Sequence, residues 1–403
     1  QGTGHFVASK KYARALRGRG LTALTPLDAS LGAEYAARAG GLVIADGPPI
    51  HKGRYGGIYE TFEQMSALQL TRDELEFALL DAFLAIGKPV LGIGRGAALI
   101  NAALGGEPER LADGLRVTER LPDGGSASFR HAGLPLFGIP APLDSVCAGR
   151  GLDGFADAVT GRAAAQPLPS ALRPAVLLAG APAYDRLYRE PAVLLNKTYS
   201  RAVSAAGGAP VLALGDAALA GVYGMAADAL ILTGTSSFVP ETQLLPKLMA
   251  EERPARGAFD GAVYRAFKAA RKPILGICLG HQMINVWEGG TIVHNFKLTD
   301  GVEHMMLPHA VETKRGGVLR ELFGGTFIVN SRHNDKIGEL AAVRRATASS
   351  PDGVIEAAEH REMPIYTVQW HPERMRGDFP EPYDGADMGS LFEWFVREVS
   401  RSR

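Results

Sequence analysis

One nineteen-residue segment is written twice in this chain, and it constrains the fold more than any other feature. Lys88-Pro-Val-Leu-Gly-Ile-Gly-Arg-Gly-Ala-Ala-Leu-Ile-Asn-Ala-Ala-Leu-Gly-Gly106 aligns without gaps to Lys272-Pro-Ile-Leu-Gly-Ile-Cys-Leu-Gly-His-Gln-Met-Ile-Asn-Val-Trp-Glu-Gly-Gly290, with ten of nineteen positions identical. Each reads as a short apolar strand, a glycine-bracketed turn and a helix. Upstream, Lys10-Lys11-Tyr12-Ala13-Arg14-Ala15 echoes Lys197-Thr198-Tyr199-Ser200-Arg201-Ala202, and Leu42 to Gly47 echoes Ala229 to Gly234. Self-similarity of this length predicts two copies of one domain.

Only the second copy carries a nucleophile. In Gly276-Ile277-Cys278-Leu279-Gly280 the small residues permit a turn so tight that the central side chain projects from the strand end. The N-terminus of the following helix then faces the sulfur, which favours thiolate over thiol. The competing reading is a small buried apolar cysteine. In the first copy Gly94 stands in place of Cys278, and Ala97 and Ala98 replace His281 and Gln282. That copy is expected to be catalytically inactive.

A thiol nucleophile needs a base, and the base needs a group that holds its tautomer. Ile365-Tyr366-Thr367-Val368-Gln369-Trp370 reads as a strand, and His371-Pro372-Glu373 follows it. The imidazole and the carboxylate lie two apart across a proline, within reach of each other. Runs at Val176–Ala179, Pro210–Leu214, Leu230–Thr233 and Pro273–Ile277 read as buried strands. Leu195–Ala206 and Phe259–Lys272 carry helical spacing, and Met388–Val399 reads as an amphipathic closing helix. The alternation predicts an α/β fold, a mostly parallel sheet covered by helices on both faces, with ligands at the strand carboxyl ends.

Together these segments resemble the class I glutamine amidotransferase-like superfamily of flavodoxin-like domains. Asn285-Val286 with Gly289-Gly290, Val329-Asn330-Ser331-x-His333 and Asp352-Gly353-Val354-Ile355-Glu356 are most similar to its gamma-glutamyl-gamma-aminobutyrate hydrolase branch. Arg95 in Gly-Ile-Gly-Arg-Gly also resembles that branch's elbow. The resemblance runs from about Pro174 to the C-terminus. It implies a Cys278–His371–Glu373 triad that cleaves a γ-glutamyl amide through a thioester. For the oxyanion, the backbone N–H of Leu279 is one expected donor. The loop Gly234-Thr235-Ser236 is expected to supply the second. Gln282, Ser331 and His333 are implied to border the glutamyl pocket, while Asn334-Asp335 replaces the branch's usual His-Gln. His281 is read as a cap or packing residue.

The resemblance leaves two enzymes open. One is a hydrolase of γ-glutamyl amides, releasing glutamate and an amine. The other is a glutaminase subunit that supplies ammonia to a separate synthetase, since no ATP-binding motif accompanies the elbow and Leu279 in place of Arg is closer to amidotransferases. A non-catalytic scaffold is a third class, for which the inactive copy leaves room.

The 403 residues suit two domains, read as 1–150 (degenerate), 151–173 (a Gly/Ala/Pro-rich linker) and 174–403 (catalytic). The degenerate copy is expected to pack on the other as a pseudo-dimer. Charge is balanced at 43 basic and 43 acidic residues, which argues against nucleic acid or anionic membrane as a partner. No run approaches the ~20 apolar residues of a membrane span. Two cysteines are too few for a disulfide framework, so Cys147 is read as structural and the compartment as a reducing cytoplasm. The chain begins at Gln1, consistent with a trimmed N-terminus, and shows no secretory leader pattern. No cofactor is expected. His294, His304 and His309 match no common zinc spacing and are read as loop or edge residues, with no metal site.

Overall fold

A computed structural model describes residues 5–47, 50, 63–107, 110–121, 124–140, 148–162, 172–185, 190–234, 246–301, 304–378 and 385–403. It divides into two compact units, one of residues 1–13, 22–27 and 173–403, the other of residues 14–21 and 28–172.

The larger unit is built on a ten-stranded sheet. Its centre is five parallel strands in the order Ile365–Val368, Ile274–Ile277, Ala229–Leu232, Ala175–Ala179 and Ala209–Ala213. Every residue of the last four strands is buried. Strands covered on both faces show no alternation and read as continuous apolar runs, which is why these four were legible. Helices Lys197–Ala205 and Pro246–Ala269 pack against this unit's strands, and Gly389–Arg401 packs on Lys197–Ala205. The closing helix buries Leu391, Phe392, Phe395, Val396 and Val399, an i, i+3, i+4, i+7 stripe.

The fold is α/β, but the sheet is more mixed than the alternation predicts. Antiparallel strands Ile355–His360, Arg344–Ser349, His309–Thr313 and Thr326–Val329 extend one side. On the other edge, Leu24–Pro26 pairs antiparallel with Ala209–Ala213. His5–Ser9 joins a separate three-stranded sheet with Glu190–Asn196 and Ala181–Asp185. These two N-terminal strands therefore belong to the larger unit, not to the unit containing residues 28–172 as the sequence boundaries anticipate. The stretch read as a linker also differs, because helix Ala148–Arg162 covers its first half and packs on strand Leu136–Ile139.

The smaller unit carries a five-stranded sheet, ordered Leu42–Ile44, Val90–Ile93, Leu136–Ile139, Ser126–His131, Leu115–Arg120. The first three strands are parallel and the last two antiparallel. In the larger unit, Ala229–Leu232, Ile274–Ile277, Ile365–Val368, Ile355–His360 and Arg344–Ser349 follow in the same order with the same senses.

Three of the identities in the repeated segment have matching structural duties. Lys88 Nζ donates to the carbonyls of Ala36, Ala37 and Ala39, and Lys272 Nζ to those of Gly224 and Ala227, closing a helix C-terminus in each case. Asn101 ties the loop at Glu107, Arg110 and Ala112, as Asn285 ties Thr291, Glu339 and Ala341. A Cβ at Gly96 would meet Ile44 O at 2.0 Å, and one at Gly280 would meet Leu232 O at 2.4 Å. Only glycine lets the helix approach the neighbouring strand so closely.

Candidate active site

Cys278 ends strand Ile274–Ile277 and precedes helix Leu279–Trp287 with φ 53° and ψ −104°. A non-glycine residue in this region stores of order 1–3 kcal/mol of backbone strain, which the surrounding packing must hold. Its N–H is anchored by Val368 O at 2.9 Å, the last residue of the neighbouring strand. The ladder between the two strands is in register from Ile274–Ile365 to Ile277–Val368, so Cys278 and His371 leave the sheet side by side.

His371 is held on three sides. Its Nδ1 lies 2.9 Å from Glu373 Oε1, inside a single turn formed by His371-Pro372-Glu373-Arg374. The His371 N–H donates to Asn330 Oδ1 at 2.8 Å, and Asn330 Nδ2 donates back to His371 O at 2.9 Å. All three groups are buried. Burial alone would lower the His371 pKa. The Glu373 carboxylate and then Cys278 outweigh it and push the imidazole up to about 10. For Glu373, burial works upward, but the charge and hydrogen bond of His371 prevail and hold its pKa below the usual value.

Gly234 closes the space between thiol and imidazole. A Cβ there would lie 2.6 Å from His371 Cε1 and 3.1 Å from Cys278 Cβ. Its N–H donates to Tyr199 Oη at 3.1 Å, and the same oxygen lies 3.5 Å from His371 Nδ1. Burial first, then Glu373, raises the Tyr199 pKa well above the ordinary phenol value, so the hydroxyl stays neutral. Sequence reasoning missed this tyrosine as a site residue. The signal was present, because Tyr199 lies in the echoed Lys-x-Tyr-x-Arg-Ala segment. Arg256, also unremarked in the sequence, donates to Thr233 O at 2.8 Å and pairs with Asp260.

The other expected site residues divide. No hydrogen bond engages the Leu279 N–H among the described residues, while the Gly234 N–H is committed to Tyr199. Thr235 and Ser236 lie outside the described residues, as does Cys147. Gln282 Nε2 donates to Asp335 O at 2.9 Å and Gln369 Oε1 at 3.1 Å, tying its helix to the 330–335 segment. Ser331 Oγ donates to His304 O. His281 packs as read, bonded to Thr367 Oγ1 and Ile355 O. Burial, assisted by Arg344, lowers its pKa to about 3 and keeps it neutral.

Of the histidines read as loop or edge residues, His294 is exposed beside Asp335. His304 is buried, and with His309 and His333 it surrounds the fully buried Glu356. Spacing along the chain gave no sign of this gathering, since the four residues come from separate segments.

At the equivalent elbow of the smaller unit, Gly94 has φ 53° and ψ −114°, and its N–H is anchored by Ile139 O at 2.7 Å. The backbone of the elbow is the same, but a carboxylate fills it. A Cβ at Gly94 would lie 2.2 Å from Asp46 Oδ1, and that oxygen accepts the Arg95 N–H at 2.9 Å. The Arg95 side chain turns away into a buried pairing with Asp73 and Glu76.

Known proteins place this chain in a family. Protein NtpR of Enterococcus hirae is 33% identical over 215 residues, which is 50% of this chain and 87% of NtpR. Gamma-glutamyl-gamma-aminobutyrate hydrolase PuuD of Escherichia coli is 30% identical over 236 residues, 53% of this chain and 89% of PuuD. Anthranilate synthase component 2 of Mycobacterium tuberculosis is 37% identical over 122 residues, 30% of this chain, which spans half of that protein's length. The model of the Peptidase C26 family matches in two stretches, residues 2–124 and 183–373. With most of its length matched, the chain belongs to the Peptidase C26 family, and the proteins it is similar to include a gamma-glutamyl-gamma-aminobutyrate hydrolase.

Proposed function

We propose that this protein hydrolyses a γ-glutamyl amide through a thioester on Cys278. The observation that carries the reading is the Cys278 elbow set beside the buried His371–Glu373 pair on register-matched strands. The Cys278 sulfur attacks the γ-carbonyl carbon, forming the C–S bond, and His371 holds the thiol proton. As the tetrahedral intermediate collapses, the C–N bond breaks and His371 passes that proton to the departing amine. Water, deprotonated by His371, then attacks the thioester, and glutamate leaves as the thiol re-forms. Glu373 keeps the imidazole oriented and offsets its charge. The Leu279 N–H is the oxyanion donor favoured by position at the helix start. The unit of residues 28–172 is, on this reading, a degenerate copy whose elbow Asp46 occupies.

A second reading is an ammonia-supplying glutaminase that works with a synthetase, as the likeness to anthranilate synthase component 2 suggests. Incubation with glutamine and a panel of γ-glutamyl amines separates the two. Fast release of amine from the panel with poor use of glutamine supports the hydrolase. Inertness until a synthetase is added refutes it. Cys278→Ala is expected to abolish turnover, and substantial residual activity there overturns the thioester in either reading.

A further inference from the structure

We propose that His304, His333 and Glu356 form a binding site for a divalent transition cation, with zinc the best match to the donor set. His304 lies in the loop before strand His309–Thr313, His333 follows strand Thr326–Val329, and Glu356 sits in strand Ile355–His360. All three side chains are buried.

The distances have the right size. His304 Nδ1 lies 3.2 Å from His333 Nε2 and 3.2 Å from Glu356 Oε1, and the third side, His333 Nε2 to Glu356 Oε1, is 3.6 Å. A tetrahedral zinc with bonds of about 2.0–2.1 Å has ligand–ligand edges of about 3.3 Å. The triangle is therefore one face of such a tetrahedron. Two nitrogens and a carboxylate oxygen are also the donor types zinc accepts.

The outer contacts decide where the ring protons are. His304 Nε2 lies 2.8 Å from Asp352 Oδ2, and His333 Nδ1 lies 3.0 Å from the carbonyl of Asp335. Both oxygens are acceptors, so each ring places its N–H outward. In the neutral imidazoles, His304 Nδ1 and His333 Nε2 then present bare lone pairs to each other and to a carboxylate. Such an outward carboxylate or carbonyl is the usual support of a metal-bound histidine. Three imidazoles crowd Glu356, including His309 with Nε2 at 3.1 Å, yet neither carboxylate oxygen has an aligned hydrogen-bond donor. A buried carboxylate in that position calls for a positive charge, which a bound metal ion or a protonated imidazole supplies. Phe296 stacks on His333 and meets His304 edge-on, shielding the group from water.

The ion would join the 304 loop, the 330–335 segment and strand Ile355–His360. Asn330, three residues before His333, holds the backbone of His371 on both sides, so the tie would steady the catalytic base from a distance.

The test uses the full chain carrying Cys278→Ala, which removes the active-site thiol as a competing ligand. After treatment with a chelator, Zn2+ alone is titrated against a chromophoric competitor, and Co2+ is added separately to read the ligand field. About one equivalent of Zn2+, with a tetrahedral Co2+ spectrum free of thiolate charge transfer, is the expected result. His333→Gln or Glu356→Gln should abolish it, and Asp352→Asn should weaken it by about 10–100-fold. The Asp352 variant keeps all three ligands, so it reports even if the ligand variants fail to fold. The proposal is overturned by no stoichiometric binding, by an octahedral Co2+ spectrum, or by an affinity indifferent to these substitutions.

Discussion

Gly234→Ala is the sharpest perturbation of the proposed site, because it adds one carbon to the gap between Cys278 and His371. That carbon would lie 2.6 Å from His371 Cε1 and 3.4 Å from Nε2. Carbon atoms rest at about 3.5–4.0 Å, so the imidazole must retreat by roughly 1 Å. It has little freedom to do so, since Glu373 holds Nδ1 and Asn330 holds the backbone at both N–H and C=O. A displacement of that size costs about 10²-fold in rate, or about 2.7 kcal/mol of barrier. Overpacking should lower stability by only about 1–3 kcal/mol, leaving a folded protein. The assay is glutamate release from a γ-glutamyl amide under kcat and KM conditions, with thermal unfolding followed in parallel. Gly47→Ala is the control, because there the added carbon meets the side chain of Arg72 in the smaller unit. If Gly234→Ala folds and keeps kcat within roughly threefold of the parent, the placement of His371 against Cys278 is wrong.

Three further outcomes follow from the same geometry. Tyr199→Phe removes the acceptor of the buried Gly234 N–H, and chemical denaturation should show a loss of about 1–3 kcal/mol; an unchanged midpoint refutes that bond. Glu373→Gln tests the His371 pairing through pH. A histidine pKa raised from 6.5 to about 10 stabilises the fold fully below pH 6.5, and the contribution fades as pH rises through about 10. Glu373, with its pKa held low, loses its share as acid protonates it. The stability gap between parent and Glu373→Gln should therefore be widest in weakly acidic solution and narrow toward pH 10, and a gap that grows with alkali refutes the sign. Lastly, Gly94→Cys placed in the Cys278→Ala background should restore no turnover, since Asp46 fills that elbow; recovered activity would mean the smaller unit retains a working site.

The repeated segment was legible because its shared residues serve the backbone. Lysines that close helices, glycines that admit a helix against a strand and asparagines that bind a loop leave the same letters wherever the same turn is built. Cys278 and His-Pro-Glu were legible for a related reason, since each sits within a few residues of the strand end that aims it. The parallel strands declared themselves as unbroken apolar runs, whereas the antiparallel flank, whose strands are shorter in apolar residues, did not.

What the chain order could not convey is contact between segments far apart in sequence. Tyr199 reaches His371 across 172 positions, and Asp46 reaches the Arg95 N–H at the Gly94 elbow across 49. The assignment of His5–Ser9 and Leu24–Pro26 to the sheets of the larger unit depends on backbone pairing that carries no local sequence mark. Glu356 and its three histidines are spread from 304 to 356, and only folding brings the three imidazoles within 3.6 Å of the Glu356 carboxylate. The sequence by itself determined the strand–elbow–helix units and which of them holds a sulfur, because those are matters of neighbours along the chain. Tertiary structure decided what surrounds each elbow: a histidine, a glycine and a tyrosine at one, a carboxylate at the other.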